Sequence, residues 1–271
     1  MRDAGFVVLV ALVSGCLLFA RLPADAHAPA PSYDLLITNA RVVDGSGNPW
    51  FRADVAIKDG RIGRVSPETA TRTIDAHGQI LAPGFIDVHT QVESIYSLPA
   101  AENFVRMGVT TLVTGNCGTS TTNVGEFLGR IKDKPLAVNL ATLIAHGSVR
   151  RKVMGLGDRA PTPEEQKQME AVVEQAMKDG AVGLSTGLIY VLGTYAKTDE
   201  IVGLARVAAR YGGLYATGAA CRKSPDPVGI SFVIVNGAPV FENNQMTAAR
   251  PGVALRGPGY VTSNPQITQI H

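Results

Sequence analysis

From Tyr33 to Ala82 the chain alternates short apolar runs with turn residues. Leu35–Ile37 and Arg41–Val43 lead into Asp44-Gly45-Ser46-Gly47-Asn48-Pro49, a turn-rich loop. Val55–Ile57 and Arg61–Val65 flank Asp59-Gly60, and Ser231–Val235 and Ala238–Phe241 flank Asn236-Gly237. Asp-Gly and Asn-Gly supply the positive φ values a tight hairpin turn needs, so each pair of runs is predicted to form a β-hairpin.

Between these regions the apolar period lengthens from two residues to nearly four. Thr162-Pro163-Glu164-Glu165 sets out an N-cap, a proline at the first helical position and a capping glutamate at the third. Met169, Val172, Val173, Ala176 and Met177 then recur at helical spacing until Gly180. Thr198 is read as the cap of a second helix, with Ile201, Leu204, Ala205 and Ala208 on one face and Gly212-Gly213 ending it. Leu98–Met107, closed by Gly108, is a third. The runs between them, Phe85–Val88, Thr110–Val113, Leu136–Leu140, Val182–Leu184 and Leu214–Ala216, read as strands. Strand–helix alternation implies parallel βα units with functional residues at the strands' C-terminal ends. A closed (β/α)₈ barrel needs eight such units in about 250 residues, and Gly84–Thr217 holds only these strands. The expected fold class is therefore α/β: a partial, TIM-like barrel of about five βα units.

Composition changes this picture little. With 45% hydrophobic and 18% charged residues in 271, a packed core is expected and disorder is not. A net charge of +2 without a basic cluster gives no electrostatic case for a nucleic-acid partner. Arg150-Arg151-Lys152, the densest basic run, is read as a solvated turn. Residues 1–28 read as an export signal: Arg2, an apolar Phe6–Ala20, then small residues around Ala24–Ala28. That apolar run falls short of the roughly 20 residues of a membrane span, so no stable span is expected after cleavage, and a periplasmic location is. Lipoprotein anchoring at Cys16 is the rival; the apolar run continues past it as Leu17-Leu18-Phe19-Ala20, which favours ordinary cleavage. Cys117 and Cys221 would then remain, too far apart and in settings too different to suggest a disulfide scaffold.

Candidate chemistry begins at Ala82–Gln91, where an apolar strand opened by Pro83-Gly84 ends in His89-Thr90-Gln91. Side chains two apart on a strand share a face, so a His-x-His there would chelate a divalent metal. Gln91 puts an amide, a poor zinc ligand, in the second place. Cys117, in Gly115-Asn116-Cys117-Gly118, follows the next strand on a glycine-flanked turn and is a second candidate ligand, with Asn116 shaping the turn. His77 and His271 lie in a turn and at the terminus, away from these motifs. Ser185 has neither a nucleophile elbow nor a base partner and is read as structural.

In order along the chain, Ala82–Gln91, Gly115–Gly118, Gly183–Tyr190, Leu214–Thr217 and the tail from Gly229 to Gly257 resemble N-acyl-D-amino-acid deacylases (D-aminoacylases) of the amidohydrolase superfamily. The likeness runs from Tyr33 to Arg256. It implies a small β-sandwich built from both chain ends, with domains at 1–28 (signal), 32–82 and 226–257 (sandwich), 83–220 (partial barrel) and 258–271 (tail). The sixth to eighth βα units would be missing between Ala219 and Pro225. It also implies a zinc cofactor and a small N-acyl-amino-acid substrate cleaved at its linear amide. In this family zinc polarises the acyl carbonyl and activates water, while a carboxylate moves the proton to the leaving amine.

On that pattern His89 and Cys117 are metal ligands and Tyr190 is a substrate-binding residue, although Leu192 stands where a proline is expected nearby. Gln91 replaces one histidine and Gly218 the one after strand five. The strand-six histidine and the strand-eight aspartate have no counterpart, so no catalytic residue is assigned. Cys221 is too unconstrained to be read as a substitute ligand. His146 is read as structural, and Asp87 as a hydrogen-bond partner of His89. The expected protein is a deacylase-like hydrolase impaired or inactive for want of ligands and acid–base. The alternative is a non-catalytic relative that binds or oligomerises, with a homo-oligomer covering the open barrel edge.

Overall fold

The computed structural model describes residues 33–63, 70–218, 232–243, 245–258 and 260. The expected export signal with Cys16, Cys221, the interval from Ala219 to Pro225 and the end of the tail with His271 lie outside these residues. No helix among the described residues is long and apolar enough to cross a membrane.

The N-terminal sheet comprises β1 (Tyr33–Val42), β2 (Phe51–Lys58), β3 (Arg61–Ile62), β4 (Ala70–Asp75) and β5 (Ile80–Leu81), in the order β3-β2-β1-β4 with β5 also paired to β1. The two runs expected at Leu35–Ile37 and Arg41–Val43 are one strand. A bulge between Ile37 and Ala40 joins them, with Asn39 left-handed at φ 57°. The Asp59-Gly60 hairpin forms as expected, with both residues at positive φ.

The mixed α/β segment that follows runs β6 (Phe85–Asp87), α1 (Glu102–Val105), β7 (Val109–Thr114), α2 (Val124–Gly129), β8 (Asn139–Thr142), β9 (Ile144–Ala145), α3 (His146–Met154), α4 (Pro163–Lys178), β10 (Gly183–Thr186), α5 (Thr198–Arg210) and β11 (Leu214–Thr217). Its strands pair in parallel as β6-β7-β8 and β9-β10-β11. Helices and strands close over a core that includes Leu112, Leu140, Ile144, Met169, Met177, Leu184 and Leu204. Each such side chain contributes about 1.5–3 kcal/mol on burial. The edge strands leave Phe85, Ile86, Leu214 and Tyr215 exposed.

Several elements differ from expectation for local reasons. The helix expected over Leu98–Met107 shrinks to Glu102–Val105, preceded by a 3₁₀ turn at Ile95–Ser97. Pro99 lacks a donor, and Ala101 sits left-handed at φ 47°, so no helix runs through them. The strand expected at Leu136–Leu140 begins at Asn139 instead. Upstream, the Leu136 carbonyl accepts from Gly252 and the Ala137 N–H donates to Pro99, so this backbone is tied to loops. Thr198 is the first helical residue of α5; Lys197 is the N-cap and its side chain makes no cap bond. By contrast, α4 has the full capping box at Thr162 and Glu165. The basic run is not a solvated turn. Arg150 lies within α3 and is wholly buried.

The C-terminal strands β12 (Phe232–Val235), β13 (Ala238–Glu242) and β14 (Gln245–Met246) form a separate antiparallel sheet. β12 alternates strictly: Phe232 and Ile234 pack on the N-terminal sheet, while Val233 and Val235 join the core of the α/β segment. An ion pair from Arg72 to Glu242 fastens the same junction.

Candidate active site

His89 and Cys117 are brought together at the C-terminal ends of β6 and β7. β6 stops at Asp87, one residue earlier than expected, and His89 lies in a bend beyond it. Thr90 fixes that bend: its N–H and its hydroxyl both donate to the Val113 carbonyl of β7, at 3.1 and 2.9 Å. The expectation that side chains 89 and 91 share a strand face therefore fails. With the strand ended, His89 is half-buried and turned toward Cys117, whereas Gln91 is exposed. The Asp87 carboxylate accepts a bond from the His89 backbone N–H at 3.1 Å, so it braces the bend through the main chain.

Cys117 sits at φ 54° in a turn whose flanking glycines also have positive φ, Gly115 at 80° and Gly118 at 78°. Gly115 is required on two counts, since a Cβ there would lie 2.2 Å from the Leu143 carbonyl oxygen. Asn116 is buried and its amide donates to the Val88 and Val113 carbonyls, at 3.2 and 3.0 Å. Glu93 accepts from the Thr114 hydroxyl and the Gly115 N–H. The Ser185 hydroxyl donates to the Gly115 carbonyl, a structural role. The result presents Cys117 to His89, with Nε2 and Sγ 2.9 Å apart.

Gly218 completes the geometry. A Cβ built on it would lie 2.5 Å from His89 Cε1, 3.2 Å from His89 Nε2 and 3.1 Å from Cys117 Sγ. A side chain at 218 would thus enter the same space as the two donors.

Imidazole nitrogen and thiolate sulfur are donors that zinc accepts, so the pair suits the metal in kind. It does not suit it in number. Catalytic zinc takes three protein ligands, and no cluster of three His, Cys, Asp or Glu able to hold a metal occurs among the described residues. Two ligands on tetrahedral zinc, at bond lengths of about 2.05 and 2.3 Å, stand about 3.6 Å apart. His89 Nε2 and Cys117 Sγ, 2.9 Å apart, would have to separate for both to bind one zinc ion. The described residues therefore do not make up a catalytic zinc site.

Tyr190 lies where Cys117 opens onto a cavity of about 300 Å³. The wall combines the Cys117 turn, the first turns of α3 (Gly147, Ser148 and Arg151) and the loop from Gly187 to Gly193. Leu192 in that loop is buried at φ 80°. Proline is locked near −65°, so the substitution of the expected proline and the loop's shape go together. Arg151 was missed in the sequence because its basic run read as a surface turn; its place on α3, one turn from the helix start, is what aims it here.

His146 and Arg150 of α3 converge on Glu200 of α5. His146 Nε2 is 2.8 Å from one carboxylate oxygen, and Arg150 Nη1 donates to the other at 2.6 Å. Arg150 also donates to the Gly157 and Arg159 carbonyls. Burial pushes the Glu200 carboxyl up, but the bonds and charges from His146 and Arg150 outweigh it and hold it below the usual carboxylate range. The reading of His146 as structural agrees with this network, whose partner Glu200 had no sequence signal beyond its helix.

A model of the amidohydrolase family matches residues 72–227. D-aminoacylase of Alcaligenes xylosoxydans xylosoxydans is 34% identical over 220 residues, covering 71% of this chain and 45% of that protein. The N-acyl-D-glutamate deacylase of the same organism is 38% identical over 208 residues, covering 67% and 43%. Among solved structures, N-acyl-D-glutamate deacylase from Bordetella bronchiseptica, complexed with zinc and a phosphonate inhibitor, superposes with a TM-score of 0.66 at 34% identity. It covers 69% of this chain and 45% of that one. The chain thus spans under half the length of these relatives.

Proposed function

Because the chain belongs to the amidohydrolase family, we propose that it is a D-aminoacylase-like member whose hydrolytic step is impaired and whose residual capacity is to bind an N-acyl amino acid. The relatives supply the substrate class: they are deacylases of N-acyl-D-amino acids by name. Impairment is supported above all by Gly218, whose missing side chain would have met both His89 and Cys117. Gln91, turned to solvent, supports it further. Loss of even an outer partner of a metal ligand costs about 10–100-fold in affinity or activity, so a site short of direct ligands falls further.

Metal analysis of the purified protein together with a hydrolysis assay on N-acetyl-D-methionine tests the reading. Substoichiometric zinc and no turnover above the blank are expected. Stoichiometric zinc with turnover that His89→Ala abolishes would overturn it.

A further inference from the structure

Arg150 and Arg151 are neighbours in sequence with opposite fates. Arg150 is buried and neutralised by Glu200. Arg151 is exposed, has no carboxylate partner among the described residues, and lines the cavity that Cys117 opens onto. Among the described residues of that cavity's wall, Arg151 is the one charged side chain, so no described wall residue opposes its charge. The cavity, at about 300 Å³, is of small-molecule size, and a few polar groups in such a site fix a ligand's orientation. Tyr190 and Val191 also line it, and both are exposed.

We propose that this cavity is a carboxylate-binding subsite in which the Arg151 guanidinium holds the anion, with the ligand's apolar portion against Tyr190 and Val191. Identifying the anion as the α-carboxylate of an N-acyl amino acid rests on the function proposed above; the preference for an anion does not. Guanidinium matches carboxylate with two parallel N–H donors, and Cys117 lines the same cavity, within which an acyl group of the same ligand would extend.

Cys117 is a reporter within the cavity. Its alkylation by iodoacetate and by iodoacetamide, reagents of nearly equal size and different charge, is followed by peptide mass spectrometry on the full chain treated with a chelator. Arg151→Gln is expected to slow the iodoacetate reaction about fivefold, as for a charge contact screened at a protein surface. It should leave the iodoacetamide rate within about twofold, and Arg151→Lys should restore part of the difference. N-acetyl-D-methionine should protect Cys117 from iodoacetamide in the parent protein, and its carboxamide should not. An iodoacetate-to-iodoacetamide ratio indifferent to Arg151→Gln would overturn the proposal, as would a Cys117 that neither reagent reaches. An Arg151-dependent ratio without protection by N-acetyl-D-methionine would uphold the anion subsite and count against the acyl-amino-acid reading.

Discussion

Gly218→His should restore a third metal ligand. A Cβ built at 218 would lie beside both existing donors, 3.2 Å from His89 Nε2 and 3.1 Å from Cys117 Sγ. Without metal the substitution is unfavourable. Its Cβ would lie 2.5 Å from His89 Cε1, so the imidazole must swing aside and give up its bond to Cys117. Overpacking of this kind costs about 1–3 kcal/mol, and the lost hydrogen bond is about 1 kcal/mol of the same order. Replacing a glycine recovers about 0.4–1 kcal/mol through the unfolded chain, which leaves a net loss of about 1–3.5 kcal/mol in chelator. With zinc the sign reverses. Structural zinc in small peptides binds with about 10–16 kcal/mol over four ligands, or about 3 kcal/mol per ligand. That corresponds to a gain on the order of 100-fold in affinity. Competition against a chromophoric chelator measures the affinity, and urea unfolding with and without zinc measures the stability. Gly218→Ala is the control: it should show the loss in chelator and no zinc gain. A Gly218→His protein that binds zinc no better than the parent would refute the assignment of position 218 to the metal site. So would a gain that survives Cys117→Ser.

Four further outcomes follow from the same geometry. Gln91→His alone should raise zinc affinity less than Gly218→His, because residue 91 is exposed beyond the end of β6; the same chelator competition ranks the two. Glu200→Gln removes the charge that balances buried Arg150, so denaturant unfolding should report a loss of about 3–5 kcal/mol. The Glu200 carboxyl is held below its usual 4.5, so its stabilising effect is fully present above that pH and lost as pH falls through the lower folded value. Thermal unfolding should therefore soften below about pH 4.5, and Glu200→Gln should flatten that part of the profile. Thr162→Ala breaks the capping box of α4 and should cost about 1 kcal/mol by the same unfolding assay.

Much of this architecture is legible in the linear chain because it depends on local chemistry. Asp59-Gly60 and Asn236-Gly237 demand turns through their backbone preferences. Thr162 to Glu165 writes out a helix start in consecutive residues, and the apolar run Phe232–Val235 beside Asn236-Gly237 anticipates a strand. The motifs at His89 and Cys117, set against a family pattern, pointed to the two donors that the fold brings within 2.9 Å. What stayed hidden depends on partners distant in sequence. Leu136–Val138 is apolar enough for a strand, yet its backbone is claimed by Pro99 and Gly252. Arg150 and Arg151 are alike as letters, and only the helical turn of α3 sends one to Glu200 and the other to the cavity. Local sequence determined which residues can start, turn or end an element and which can bind a metal. Tertiary structure alone decided that Gln91 faces solvent while Gly218 faces the donors, because a side chain's direction depends on where its strand stops and what lies opposite.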